Sequence, residues 1–365
     1  MKKHVVISGY YGFNNAGDEA ILTAIINTLR KLAAKHDKAI EFTVLSADPA
    51  QTRARYQVNA VERMHLWQII KTLKKCDLFL SGGGGLLQDA TGRSLSVVYY
   101  LGLVLLAKIL GKPAVLYAHG IGPIDKWLNK LFVRLICNLA DYISVRDEAS
   151  LLALKNLGVK RPPLELTADP AFLLQPKESA EAPSLPAKEK IIALAVKAAA
   201  DESYLQEIAR AADCLAKEFA AALFLVPMYL QEDLAATKKL AGMLRAKAYL
   251  LDKFLLPQEL LSLFTHFDLV ISVRLHALIF AACAGVPMVG IGYDPKVEIF
   301  LEQLGLDTAG GLNDVRADVL IRQARTRLQD ANLQKTLKLK RHELQQKALC
   351  TLEKIFFTLF ESGDK

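Results

Sequence analysis

Metal-ligand spacing is missing from this chain. No CxxC pair and no Cys/His cluster occurs, and the five cysteines, Cys76, Cys137, Cys214, Cys283 and Cys350, are odd in number and scattered among apolar residues. That pattern fits buried, unpaired thiols in a reducing compartment, so neither a disulfide nor a structural zinc is expected. A long hydrophobic run is missing too. The most apolar window, Val97 to Leu110, contains Lys108 and falls short of the roughly 20 residues a membrane span requires. The start of the chain lacks the pattern of a secretion signal, because Lys2-Lys3 leads into a strand-like run and then the polar loop Asn14 to Glu19. The expectation is a cytoplasmic protein. Stacking motifs of RNA-binding sheets are absent and the basic residues are scattered, which argues against nucleic acid as a partner. The net charge of +8 and pI near 9.1 are then left to an acidic substrate, an anionic membrane surface, or a solvated surface excess.

With 365 residues, 52% of them hydrophobic and 23% charged, the chain suits two globular domains. Apolar runs of strand length alternate with amphipathic helical stretches, the pattern of parallel sheets with helical crossovers. Strands are predicted at His4 to Ser8, Glu41 to Leu45, Leu78 to Ser81, Ala114 to Ala118, Tyr142 to Val145 and Glu165 to Thr167. From Gly17 a helix is predicted, with Ile21, Leu22, Ile25, Ile26, Leu29 and Leu32 on one face. A Pro, Ala, Glu and Lys-rich stretch follows, with residues 177–190 read as a linker. The pattern restarts at Ile191 to Val196, Ala222 to Val226, Ala248 to Leu251, Leu269 to Ser272 and Met288 to Ile291. The fold class is therefore α/β: two Rossmann-like domains facing a cleft, residues 1–176 and 191–365, the second carrying the C-terminal helices. The last apolar cluster, Ile355 to Phe360, packs on one of the domains or touches a membrane.

Three segments echo one another: Cys76 to Ser81, Ala140 to Ser144 and Phe267 to Ser272 share an Asp, a few apolar residues and a closing Ser. Ligands in open parallel sheets sit beyond the carboxyl ends of strands, so the loops that follow are candidate site elements. The first strand also ends in a glycine-containing loop, with Gly12 and Asn15, whose spacing is not that of a dinucleotide site. Asp18 and Glu19 come next; each either complements the dipole of the first helical turn or accepts a proton from a substrate hydroxyl. The run Gly82, Gly83, Gly84, Gly85 offers backbone amides to an anion or close approach to a sugar, or else only tight packing. Gly120 and Gly122 make a weaker version of that case, and His119 beside them reads as a satisfied polar residue.

Arg146 and Arg274 each close a strand, where a guanidinium can grip a carboxylate or phosphate with two hydrogen bonds. Arg146 has Asp147 beside it as an ordinary ion-pair partner, whereas Arg274 has no acid nearby in sequence. His276 lies two residues beyond Arg274, so that an extended chain would put both side chains on one face, and a histidine there can act as an acid near neutral pH. Lys296 would add a point charge beside the same site, with Asp294 or Glu298 as neutralising partners.

Taken together, the segments GYYGFNNAGDEAIL from Gly9, SGGGGLLQD from Ser81, SVRDEAS from Ser144, SVRLHALIFAACAGVP from Ser272 and YDPKV from Tyr293 resemble the polysaccharide pyruvyl transferase family, most closely its bacterial cell-wall branch. The resemblance implies a fold like the GT-B glycosyltransferases. It also implies transfer of the enolpyruvyl group of phosphoenolpyruvate to a hexose as a cyclic ketal, with an N-acetylmannosamine unit on a lipid-linked precursor as acceptor. It puts the acceptor on the first domain and the donor on the second. Arg146, Arg274 and Lys296 become donor-binding residues, His276 the general acid, and Asp18 or Glu19 the base. Phosphoenolpyruvate is a co-substrate, no metal or nicotinamide is needed, and peripheral attachment at the inner face of a membrane is compatible. A sugar-nucleotide glycosyltransferase is the rival enzyme, against which Leu275 to Ala284 offers no acid to hold a donor ribose. A non-catalytic anion- or glycan-binding protein is the other alternative.

Overall fold

The computed structural model describes residues 2–89, 94–178, 183, 185 and 190–361, with 94 and 95 as backbone only, so most of the expected linker lies outside the described residues. The first parallel sheet contains β1 (Lys2–Ser8), β2 (Ala39–Ser46), β3 (Asn59–Glu62), β4 (Leu78–Leu87), β5 (Ala114–Ile121), β6 (Tyr142–Val145) and β7 (Leu164–Leu166), in the order β3-β2-β1-β4-β5-β6-β7. The second contains β8 (Lys190–Ala195), β9 (Ala221–Leu225), β10 (Ala248–Leu250), β11 (Leu269–Ser272) and β12 (Met288–Gly290), in the order β10-β9-β8-β11-β12. In each sheet the chain winds outward from a first strand and then restarts on its other side. The winding direction therefore switches between β1 and β4, and again between β8 and β11, where such sheets bind ligands.

Both faces of the first sheet are covered. Val5 and Ile7 of β1 join an apolar cluster with Ile21 and Ile25 of α1 (Ala16–Lys35). Val6 points the other way, into a cluster with α3 (Leu66–Lys75), α4 (Ser94–Ile109) and α5 (Trp127–Cys137). α2 (Pro49–Tyr56) and α6 (Glu148–Asn156) complete this layer set. The second sheet carries α7 (Tyr204–Phe219), α8 (Leu230–Met243), α9 (Pro257–Phe264), α10 (Leu275–Ala284), α11 (Pro295–Gln303) and α12 (Ala317–Gln329), and α13 (Ala331–Glu361) closes the chain.

The repeated Asp and Ser have a structural cause. Asp77 accepts from the His4 amide at 2.7 Å, Asp141 from Ala114 at 2.7 Å and Asp268 from Ile191 at 2.8 Å. Each Asp thus ties the start of its own strand to the start of a neighbour, satisfying an edge amide that would otherwise lack a partner. At the far end the Ser hydroxyl catches backbone or ring groups where the loop departs: Ser144 Oγ accepts from the Ala118 amide at 2.9 Å and Ser272 Oγ from the Arg274 amide at 2.8 Å.

The chain divides into two compact units differently from the expected boundaries. The first is Met1–Phe13, Asp18–Leu173 and Leu344–Lys365; the second is Asn14–Gly17 and Leu174–Glu343. The end of α13 belongs to the first unit because Leu352, Ile355, Phe356 and Leu359 are buried in the cluster that holds α1. The Tyr117 hydroxyl also donates to the Ala348 carbonyl at 3.1 Å, and Lys354 pairs with Glu165 at 2.6 Å. Of the expected terminal apolar cluster, Ile355, Phe356 and Leu359 are therefore core, each such buried side chain worth about 1.5–3 kcal/mol, whereas Phe360 is half-buried and Phe357 exposed. Cys76, Cys137 and Cys283 are buried, but Cys350 is exposed and Cys214 only half-buried, contrary to the expectation of buried thiols throughout.

Candidate active site

In the first unit the glycine run does not form a separate loop. Gly82 and Gly84 pair with Tyr117 and His119 in a continuation of β4 against β5, and the register becomes irregular between Gly84 and Leu87. Their backbone is thus partly committed to the ladder rather than free to cradle an anion. Tyr11, buried, donates to the Gly82 carbonyl at 3.0 Å, and burial raises its phenol pKa well above the ordinary value. Asp18 lies over the turn: a Cβ on Gly84, whose φ is +93°, would stand 3.2 Å from Asp18 Oδ1. Asp18 is half-buried at the start of α1 and keeps the option of meeting a substrate hydroxyl.

Glu19 is different. It is buried, accepts from the Gly12 amide at 2.7 Å and from the Tyr56 hydroxyl, and burial raises its pKa despite both bonds. Gly12 is required there: its φ is +81° and a Cβ would meet Ser46 Oγ at 2.2 Å. Glu19 thus fixes the loop after β1, whereas Asp18 is half-buried beside Gly84.

Arg146 is buried and paired with Asp169 at 2.8 Å, while Asp147, the partner expected from sequence, approaches only to 4.0 Å and caps α6 through the Ser150 amide at 2.7 Å. A Cβ on Gly120 would meet the Arg146 guanidinium at 2.8 Å, so the glycine makes room for it. His119 is fully buried. Its Nε2 lies 3.1 Å from the Ser81 carbonyl, which can only accept, so Nε2 carries the proton. Burial lowers the His119 pKa to about 4, so the ring is neutral near pH 7.

In the second unit, chemistry gathers at the carboxyl ends of β8 and β11. Arg274 does not extend the strand; it is the N-cap residue of α10, and His276 sits in that helix's first turn, so the expected extended geometry is replaced by a helical one. The Arg274 guanidinium has an acid partner that sequence proximity did not reveal: Nε bonds Asp233 at 3.0 and 3.1 Å, Nη2 bonds it as well, and Glu232 lies 3.4 Å from Nη2. Burial works against the charged guanidinium but Asp233 outweighs it, and the Arg274 pKa is raised. Burial raises the pKa of Asp233, with Arg274 opposing.

Lys197, two residues past β8, was not among the sequence candidates. Its Nζ lies 4.2 Å from the Tyr293 ring centroid and Lys296 Nζ lies 5.7 Å from the same ring. Burial lowers the Lys197 pKa, and the neighbouring Arg274 and Lys296 charges push the same way. The Tyr204 hydroxyl donates to the Lys197 carbonyl and fixes its backbone. Lys296 bonds Asp294 at 2.9 Å, as sequence allowed, and Asp294 also caps α11. The residues Asn14–Gly17 belong to this unit. Asn15 pairs with Tyr229, accepts from the Gly17 amide at 3.1 Å, and Ala16 donates to the Met228 carbonyl at 2.8 Å. Gly17 lies against His276: a Cβ there would stand 2.0 Å from Nδ1.

The second unit therefore groups Lys197, Arg274 and Lys296 around Tyr293 at the switch point, with His276 at a helix N-terminus whose dipole also favours an anion. Among solved structures, the chain is similar to UDP-GlcNAc 2-epimerase from Neisseria meningitidis bound to UDP-GlcNAc, with 12% identity, a TM-score of 0.64, and 97% of this chain and 99% of that one covered. It is similar to a putative UDP-N-acetylglucosamine 2-epimerase from Listeria monocytogenes, with 13% identity, a TM-score of 0.63 and coverage of 92% and 91%. A glycosyltransferase from Rickettsia africae gives 11% identity and a TM-score of 0.62 over 100% of both chains. At such identities these likenesses establish the fold, α/β with parallel sheets of the GT-B kind. No curated protein sequence matches. The family model for polysaccharide pyruvyl transferase matches residues 15–295, which take in the Gly17, Arg146, Lys197 and Arg274 segments, and the chain belongs to the polysaccharide pyruvyl transferase family.

Proposed function

We propose that this transferase moves the enolpyruvyl group of phosphoenolpyruvate onto two hydroxyls of a hexose, an N-acetylmannosamine unit of a lipid-linked cell-wall precursor, as a cyclic ketal. The observation that carries the reading is the trio Lys197, Arg274 and Lys296 around Tyr293, which matches a donor with a carboxylate at one end and a phosphate at the other. Arg274 takes the carboxylate, its guanidinium oriented by Asp233. Lys296 and Lys197 offset charge on the phosphate as it leaves. Arg146 remains a donor-binding candidate, with Asp169 as its fixed counterion.

His276 protonates C3 of the enol, which makes C2 electrophilic. One sugar hydroxyl then adds to C2 and the C2–O bond to phosphate breaks; the second hydroxyl adds to the resulting oxocarbenium centre. Two hydroxyl protons are released, which balance the one taken up at C3 and the one carried away on phosphate. Asp18 is the base that accepts the first of them. The chemistry is acid–base throughout and supplies its own electrophile, so phosphoenolpyruvate serves as co-substrate.

The test is incubation with phosphoenolpyruvate and candidate disaccharide-diphospholipids, with phosphate release and the mass of the lipid product followed together. Phosphate release that requires the acceptor, with a pyruvyl adduct on the sugar, is expected. Turnover of a sugar nucleotide without use of phosphoenolpyruvate would replace this reading by glycosyl transfer.

A further inference from the structure

The helices α3, α4 and α5, which cover one face of the first sheet, leave unusual side chains in solvent. Trp67 is 78% exposed and Trp127 71%, and Met64, Leu66, Leu128 and Leu135 are each more than half exposed. These two are the only tryptophans in the chain. On α5 the exposed residues Trp127, Leu128, Leu131 and Leu135 recur at helical spacing along one stripe, and Lys130 and Arg134 lie beside it, both exposed.

Charge on these three helices has one sign. The segments 63–75, 94–112 and 126–138 contain nine Lys and Arg and no Asp or Glu, in a chain where acids are 38 of 365 residues. Lys108 is paired with Asp141, and Glu62, Asp77, Asp125 and, on the neighbouring α6, Glu148 stand at the edges; the three helices themselves remain basic. No described helix is long and apolar enough to cross a membrane. Exposed aromatic and aliphatic side chains among basic ones suit a surface that lies on a bilayer. A second copy of the same face would bring like charges together, which disfavours self-association.

We infer that the α3–α4–α5 face of the first unit docks on an anionic bilayer surface, with Trp67 and the Trp127–Leu135 stripe at the headgroup boundary and the lysines and arginines on lipid phosphates. The helices return antiparallel to the strands, so the starts of α3 and α5, which carry both tryptophans, share the carboxyl edge of the sheet with the loops after β4, β5 and β6. Helix axes pack 8–10 Å apart, so the face spans roughly 20 Å from α3 to α5. The inference stands on the surface alone and does not depend on which group the enzyme transfers.

The experiment uses the full chain with vesicles of phosphatidylcholine, with and without phosphatidylglycerol, read by sedimentation and by tryptophan emission. Binding to the anionic vesicles with a blue-shifted emission, reversed by high salt, is expected. Each basic residue near such a surface contributes roughly a factor of five, so Lys130→Glu/Arg134→Glu is expected to weaken partitioning at least ~10-fold. Trp127→Ser/Leu131→Ser is expected to abolish the shift in part and weaken binding, with the thermal midpoint unchanged because both side chains are exposed. Absence of binding at low salt, equal binding to neutral vesicles, or indifference to these variants would overturn the inference. So would a vesicle-free dimer that the same variants dissolve. The vesicles contain neither donor nor acceptor, so failure here is separable from failure of the proposed reaction.

Discussion

Gly17 and His276 are in such close contact that a single added Cβ at position 17 would stand 2.0 Å from His276 Nδ1 and 2.2 Å from Cγ. The contact sets the position of the imidazole, which in the proposed reaction must deliver a proton to C3 of the donor. Gly17→Ala is therefore expected to reproduce much of the defect of His276→Ala. A positioned general acid contributes typically 10²–10⁴-fold, so kcat should fall by that order in both variants while the KM for phosphoenolpyruvate moves little. Steady-state kinetics with a circular dichroism control checks this. Near-normal kcat in His276→Ala would remove the histidine from the acid role.

Arg274 and Asp233 form a second pair whose structural and binding roles can be separated. Asp233 is 0% exposed and the Arg274 side chain 15%, so removing the guanidinium strands a buried carboxylate, a change that costs about 3–5 kcal/mol. Arg274→Met should lower Tm accordingly at neutral pH. The sign with pH follows from Asp233: its folded pKa is already raised by burial, and without Arg274 it rises further, so protonation relieves the variant and the Tm deficit narrows on acidification. Arg274→Met/Asp233→Leu should recover stability without recovering donor affinity, as read by isothermal titration with phosphoenolpyruvate.

These pairs mark where sequence reading reached and where it stopped. The strands of both sheets were legible because a buried parallel strand is a short apolar run, and all but β3 stand close to their expected positions. β3 is the four residues Asn59–Glu62, one of them buried, too short to show a period. Arg274 and His276 were legible because they interrupt an apolar stretch at a strand end. Asp233 was not, since an acid in the first turn of α8 reads as an ordinary complement to the helix dipole. Lys197 looks like any solvated lysine until β8 is placed next to β11, a long-range pairing that no local pattern encodes. The tail's apolar spacing announced a packed helix, but the sheet it packs on is settled only by tertiary contact.

Lys197 gives a pH dependence of definite sign. Burial and the nearby Arg274 charge lower its pKa, so it loses its proton below the ordinary lysine range, and with it one cation for the donor. Donor affinity is expected to fall as pH rises, starting on the alkaline side before any normal lysine titrates. Lys197→Arg should flatten that limb. Lys197→Met should weaken binding by roughly 10- to 100-fold at neutral pH, the loss of a charged hydrogen bond of about 1.5–3 kcal/mol. Titration of phosphoenolpyruvate across the alkaline range distinguishes the three proteins; a pH profile identical in wild type and Lys197→Arg would remove Lys197 from the donor site.

His119 governs the acid side, through stability rather than binding. Its pKa is lowered to about 4 by complete burial, whereas the unfolded chain titrates near the ordinary histidine value of 6.5. Between those values the unfolded state takes up a proton that the folded state refuses, so stability is lost as pH falls through that window and is fully present above it. The contribution is roughly 3 kcal/mol. His119→Gln retains a donor for the Ser81 carbonyl and does not titrate, so its Tm should vary less between pH 7 and pH 4 than that of the wild type, the two curves converging at the acid end. If wild type and variant lose Tm in parallel across this range, acid sensitivity must be assigned to other groups.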